Sequence, residues 1–474
     1  MRRRTFLTIS ILALALGALR PCRAEFLYFA NGGRLQATAT IQGDTVLLET
    51  PWGQTTFLVQ DFVKIAPGGC PEHEWEGRRS AARQKDSSAR FAAAWWALEN
   101  GLIPEAVASL RESRALDPSH PATARLASAL DRLDRPVKDP DTGPLRRALG
   151  VSLQEARGTH VLLLHQHDDE DARRRLDLLE RVVVAYHLLL AGQGIDVEVP
   201  DHRLVSVYLK SREDYLAFLN SQNAAAFRTT LGYFHPNFLA VIAYDARSPG
   251  ESRAEAAVAR DPAARDQRRR RLLTTLDALA RDHGTAAHEM IHLLVAESRL
   301  EPRPGVFPHW LHEGFAAQFE VVRSGRWSGI GRAHDLRLTD FRSLPTAPAP
   351  SPTLANLIRD AGFGHGYRRD VYARSWALVY FLRKTRPVAF SAFLDLLRSP
   401  QPEDADHFTS AFLAAFGPDL DALETEWKSF MSRIQTPLDE SAPSRLPARS
   451  VSQRITIDRI GEVAKMLKSR ADGA

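Results

Sequence analysis

Residues 288–292 read His288-Glu289-Met290-Ile291-His292, and Glu313 follows twenty-one residues after His292, inside Trp310-Leu311-His312-Glu313-Gly314-Phe315-Ala316. On a helix, positions i and i+4 share a face, with Cβ atoms about 5–6 Å apart. Two imidazoles so placed can reach one ion at about 2.0–2.1 Å. Glu289 lies about 100° round the helix from His288. It is poorly placed as a third ligand and well placed to take a proton from a water on the metal. Glu313, in a second helical-looking stretch, supplies a carboxylate. Two His and one Glu leave a fourth position for water, as catalytic zinc requires, whereas a structural zinc fills all four, usually with Cys. The pattern therefore predicts one zinc ion held by His288, His292 and Glu313, with Glu289 as general base. Thr285-Ala286-Ala287 before the motif and Leu293-Leu294-Val295-Ala296 after it make it the middle of a helix.

These two segments together resemble the gluzincin metallopeptidases, above all the aminopeptidase N type, whose third zinc ligand is the Glu of a W-L-x-E-G-F-A segment. More narrowly, the chain is similar to an uncharacterised family of exported bacterial proteins with a peptidase-like gluzincin domain. The order Ala415-Phe416-Gly417-x-Asp419-Leu420 to Trp427 also matches that family's ending. The resemblance implies a thermolysin-like catalytic domain over residues 145–434, α/β first and helical after, that hydrolyses peptide bonds. It implies that Tyr372, heading the apolar run Val371–Leu382, is the transition-state tyrosine, although Arg374 and Ser375 stand where those relatives tend to carry Lys and Gly. His309, His312 and His365 are weaker donor candidates. It also gives Phe238–Tyr244 the role of a strand at the sheet edge by the metal, where substrate backbone pairs by strand addition. Aminopeptidases of this clan carry a G-x-M-E-N segment upstream, whose Glu holds the substrate amine. Leu231-Gly232-Tyr233-Phe234-His235-Pro236-Asn237 has no such Glu. Internal cleavage, or a narrow substrate, is expected instead.

Two further groups bear on the chemistry. Glu320, seven residues after Glu313, falls on the same helical face and could fix the tautomer of a ligand histidine. His165-Gln166-His167-Asp168-Asp169 could bind an ion at a strand end. It suits a solvated strand end and a helix N-terminus better.

The elements around the site form an α+β, multidomain pattern. Residues 1–24 read as a signal peptide: Arg2, Arg3 and Arg4, an apolar run from Phe6 to Leu19, and small residues at Cys22 and Ala24. Arg3-Arg4-Thr5-Phe6-Leu7 also resembles a twin-arginine signal. A periplasmic or extracellular location follows. Once that peptide is removed, Cys70 alone remains, which excludes an internal disulfide and a Cys zinc site. Residues 25–69, with short β-rich runs split by Asn31-Gly32-Gly33, Gly43-Asp44 and Trp52-Gly53, predict a small SH3-like barrel. Residues 70–136 predict tetratricopeptide-like helices that pack on a neighbour and could take a protein partner. Pro136 to Pro144 reads as a linker. Asp168 predicts the cap of a helix of about 24 residues. Residues 246–270, charged and alanine-rich, read as an exposed insertion, and 435–474 as a largely disordered tail. The net charge of +5 is small for 474 residues, and runs such as Arg268–Arg271 read as solvated helix faces, against a nucleic-acid partner. No run after the signal is long enough for a membrane span. The substrate expected is a peptide or protein. The alternative is an inactive peptidase-like scaffold that binds through its β and helical regions.

Overall fold

A computed structural model of the chain describes residues 23–50, 53–67, 71–82, 87–247, 260–302, 307–344, 353–360, 363, 369–399 and 405–436. The expected signal peptide up to residue 22, the tail from 437, and His365 lie outside the described residues. The fold is mixed α+β, and none of its described helices is long and apolar enough to cross a membrane.

The chain opens with β1 (Arg23–Phe29), β2 (Arg34–Gln42), β3 (Thr45–Thr50), β4 (Gly53–Leu58) and β5 (Phe62–Pro67). Burial alternates along β2 and β3, as period-two side chains on a one-faced sheet must. The order is β4-β3-β2-β1-β5, antiparallel throughout. The edges β4 and β5 do not pair, so the expected small barrel is an open sheet. A 3₁₀ turn at Val59–Asp61 carries the chain from one edge to the other. The side left open is filled from far along the sequence: Leu272, Leu276 and Leu279 join Leu27, Phe29, Val46, Leu48 and Phe57 in one core.

Next come α1 (Pro71–Ala81), α2 (Ser87–Glu99), α3 (Ile103–Leu116) and α4 (Pro121–Leu133). Ala93, Ala94 and Ala97 on α2, facing Ala106 on α3, let the two helices pack closely as a hairpin. These helices share one continuous core with the helices that follow. The expected linker is an ordered seam. The amide of Lys138 donates to Asp201 O at 2.9 Å, the amide of Arg203 donates to Lys138 O at 2.8 Å, and Asp139 pairs with Arg157 and Arg203.

The second sheet holds β6 (Gln154–Arg157), β7 (Val161–His165), β8 (Leu204–Leu209), β9 (Gly232–His235) and β10 (Ala240–Tyr244) in the order β6-β7-β8-β10-β9. β7, β8 and β10 run parallel and are buried at every position, which requires cover on both faces. α6 (Asp169–Gly192) covers one face, and α5 (Gly143–Leu149) and α7 (Arg212–Ser221) the other. The Asp168 side chain caps α6, accepting from the amides of Glu170 and Asp171. The structure corrects one strand assignment. β10, within the segment 238–244 expected at the edge, lies inside the sheet. The edge is β9, joined to β10 by a hairpin whose Leu239 sits at φ +46°.

The metal-motif helix is α8 (Pro262–Glu297), 36 residues long. From Pro262 onward the expected insertion is the first half of this helix, laid against the N-terminal sheet. Arg265 pairs with Asp61 at 2.9 Å, and Arg269 donates to Gly32 O. α9 (His309–Ala316) follows, then the two-stranded hairpin β11 (Val322–Arg323) and β12 (Arg326–Trp327), then α10 (Asp335–Ser343) and α11 (Leu354–Leu357). α12 (Arg369–Thr385), α13 (Pro387–Arg398), α14 (Ala405–Phe416) and α15 (Leu420–Arg433) form a helical bundle behind the site.

Candidate metal centre

α8 presents His288 and His292 one turn apart, and α9 brings Glu313 to them. Their ligand atoms lie within 4.8 Å of one another. The two Nε2 atoms are 3.0 Å apart, and Glu313 Oε2 is 3.2 Å from Nε2 of His288. Donors at about 2.0–2.1 Å around a tetrahedral ion stand about 3.3 Å from each other; these two separations match that value, and His292 Nε2 lies farther, 3.8 Å, from Glu313 Oε1. Among the described residues no other group of three His, Cys, Asp or Glu side chains gathers in this way. Both oxygens of Glu313 are buried without a hydrogen-bond partner. Buried carboxylate oxygens left unmatched are costly, and a cation between them and the imidazoles removes that cost.

The electrostatics say the same. Burial opposes charge on His288, but the Glu313 and Glu320 carboxylates hold its pKa well above the ordinary value. Burial drives His292 down to about 3. Burial, with Glu313 nearby, pushes Glu289 up to about 8. The backbone N–H of Phe234, on edge strand β9, donates to Glu289 Oε2 at 2.9 Å. The Glu289 carboxylate is thereby fixed at the sheet edge.

Behind the ligands stands a layer of polar partners. Nδ1 of His288 lies 2.6 Å from Oε1 of Glu320, the place for a carboxylate that would keep the proton on Nδ1 and leave the Nε2 lone pair for a metal ion. Glu320 is held in turn by His334 Nε2 at 3.0 Å and by Arg337 Nη2 at 3.2 Å. Against its burial, Arg337, His288 and His334 keep its pKa well below the ordinary range. Two glycines permit the close packing. A Cβ on Gly284, one turn before His288, would stand 3.0 Å from the Glu320 carbonyl oxygen. A Cβ on Gly314, beside the ligand Glu313, would stand 2.4 Å from Ser375 O on α12.

The remaining sequence candidates fall into place around this centre. Tyr372 is buried in the first turn of α12, with its ring against Phe363 and under the Arg337 guanidinium, 5.6 Å from it. It thus joins the layer around Glu320. His312 Nε2 is 2.9 Å from Glu301, with its ring 6.1 Å from that of His292, and His309 pairs with Asp360. His165 and His167 do not join a metal group: His167 stacks on Tyr208 and faces Leu209 O. Sequence reasoning missed Phe234, His334 and Arg337. Phe234 acts through its backbone, which no side-chain motif reveals. His334 caps α10, and its place beside Glu320 depends on the intervening hairpin.

Residues 282–404 match a family model described as "Protein of unknown function (DUF1570)", a span that includes the motif, Glu313, Glu320 and Tyr372. No curated protein matches the chain.

Proposed function

We propose that this chain is an exported zinc-dependent metallopeptidase of the gluzincin type that cleaves within peptides. The observation that carries the reading is the convergence of His288, His292 and Glu313 beside a buried Glu289 fixed on an edge strand. A scaffold that only binds has no use for that carboxylate. Zinc held by the three side chains supplies a Lewis acid for the scissile carbonyl and makes a bound water acidic near neutral pH.

The chain's own residues supply the rest. Glu289 takes the proton of the attacking water and passes it to the leaving amine nitrogen. The Phe234 N–H holds one carboxylate oxygen, leaving the other free for proton transfer. β9 is the edge strand beside Glu289, and substrate backbone would pair along it past the Phe234 N–H that Glu289 already takes. Tyr372, close to Arg337, is the donor candidate for the developing oxyanion.

The decisive experiment compares wild type with Glu289→Gln and His288→Ala. Mature wild type should bind about one zinc per chain and cleave members of a diverse peptide library. Glu289→Gln should keep the zinc and lose cleavage by about 10²–10⁴-fold. His288→Ala should lose both. Cleavage undiminished in Glu289→Gln, or folded wild type that takes up no zinc, defeats the proposal.

A further inference from the structure

We propose a second, separate ligand site: a single halide ion, chloride in ordinary surroundings, bound by Arg175 between α6, α8 and the carboxyl ends of the parallel strands. Arg175 is only 2% exposed. A guanidinium carries five N–H donors. Here Nη1 is engaged, on Asp282 Oδ2 at 2.9 Å and Asp282 O at 3.3 Å, while Nε and Nη2 are buried without a hydrogen-bond partner. Beside them is a cavity of about 20 Å³, lined by Arg174, Arg175, Arg247, Tyr208, Asp171 and Asp282 among others.

The neighbouring carboxylates are already committed. Asp282 also accepts from the Tyr208 hydroxyl at 3.2 Å. Asp171 pairs with Arg174 and with Arg247, and Arg247 also holds Asp245. His283 adds no positive charge, because burial lowers its pKa and its Nδ1 faces Gly325 O at 3.1 Å. The Tyr208 ring packs under the guanidinium at 4.4 Å and fixes its plane. What the cavity lacks is an acceptor for the two free donor groups. Buried ionised donors left unmet are costly, so an anion is favoured there. The space admits a particle of about the size of one water, which suits a monatomic anion and excludes a tetrahedral oxyanion. The place also fits, since open α/β sheets take ligands beyond the carboxyl ends of their strands.

The site lies about 10 Å along α8 from Glu289, at 1.5 Å per residue, and it does not depend on the peptidase reading. Two measurements test it on the whole mature chain. The first is thermal unfolding in about 1 to 200 mM chloride, with ionic strength held constant by gluconate, an anion too large for the cavity. A saturable rise of about 2 °C is expected in wild type and its absence in Arg175→Gln. The second uses wild type alone, so a misfolded variant cannot obscure the result. Crystals grown in bromide should give an anomalous peak within hydrogen-bond distance of Arg175 Nε or Nη2. An unfolding temperature indifferent to chloride, an equal rise in Arg175→Gln, or a cavity filled by water in the bromide crystal each overturns the proposal.

Discussion

The backbone N–H of Phe234 donates a hydrogen bond to Oε2 of Glu289 at 2.9 Å, tying the edge strand β9 to the motif helix. Gln at position 289 keeps an acceptor for that N–H, whereas Ala leaves it buried and unmet. Glu289→Ala should therefore unfold about 1–2 kcal/mol more easily than Glu289→Gln. Urea unfolding of the two metal-free variants measures the difference, and equal stabilities would show that the bond carries no weight.

Glu320 should control how tightly the metal is held without touching it. Its carboxylate sits 2.6 Å from His288 Nδ1, so Glu320→Ala should weaken zinc binding about 10–100-fold. Arg337→Met leaves Glu320 with His288 and His334 and should cost less. Competition with a coloured chelator gives both affinities. Unchanged affinity in Glu320→Ala removes Glu320 from the site.

Gly314→Ala tests the packing that delivers Glu313. The added Cβ would lie 2.4 Å from Ser375 O and 2.7 Å from Val379 Cγ2. Backbone on one side and a stiff branched side chain on the other leave little room to yield. A loss of about 3 kcal/mol is expected, together with weaker zinc binding as α9 shifts. Denaturant midpoints and zinc content should fall together, and a variant as stable as wild type contradicts the contact.

His187 predicts an acid weakness away from the metal. Burial chiefly lowers its pKa to about 4 from 6.5. Below pH 6.5 the unfolded chain takes up a proton that the folded chain refuses until about pH 4. Stability should therefore fall as pH drops through that window and be unaffected by this group above it. The shift corresponds to roughly 3 kcal/mol at its limit. In metal-free protein, His187→Gln should show a smaller loss between those pH values, read from urea unfolding at each. Parallel losses in both proteins refute the assignment.

The parts of this molecule legible in the sequence are those fixed by local rules. The spacing of His288 and His292 needs only helical periodicity, and Asp168 caps α6 because a side-chain acceptor before a helix satisfies its first amides. β9 has no legible signal because it is four residues long and buried throughout, so it shows no alternation. The start of α8 is hard to read for a related reason. Arg268–Arg271 suggested a solvated face, although Leu272, Leu276 and Leu279 already mark a buried stripe at helical spacing. Arg268 and Arg269 turn toward the N-terminal sheet and only Arg270 and Arg271 are exposed. The barrel expectation failed because nothing local shows that a distant helix, not a β4–β5 pair, covers the sheet's open side.

That cover has a consequence for how such chains can be recombined. The rod that carries His288 also completes the core of the first sheet, so neither half of α8 can be exchanged alone. A chimera joined just before Pro262 would pair one parent's leucines with another's sheet. Compatible joints must keep residues 23–67 and 262–297 from the same parent, and inheritance should couple substitutions in Phe29 or Phe57 to substitutions in Leu272 and Leu276.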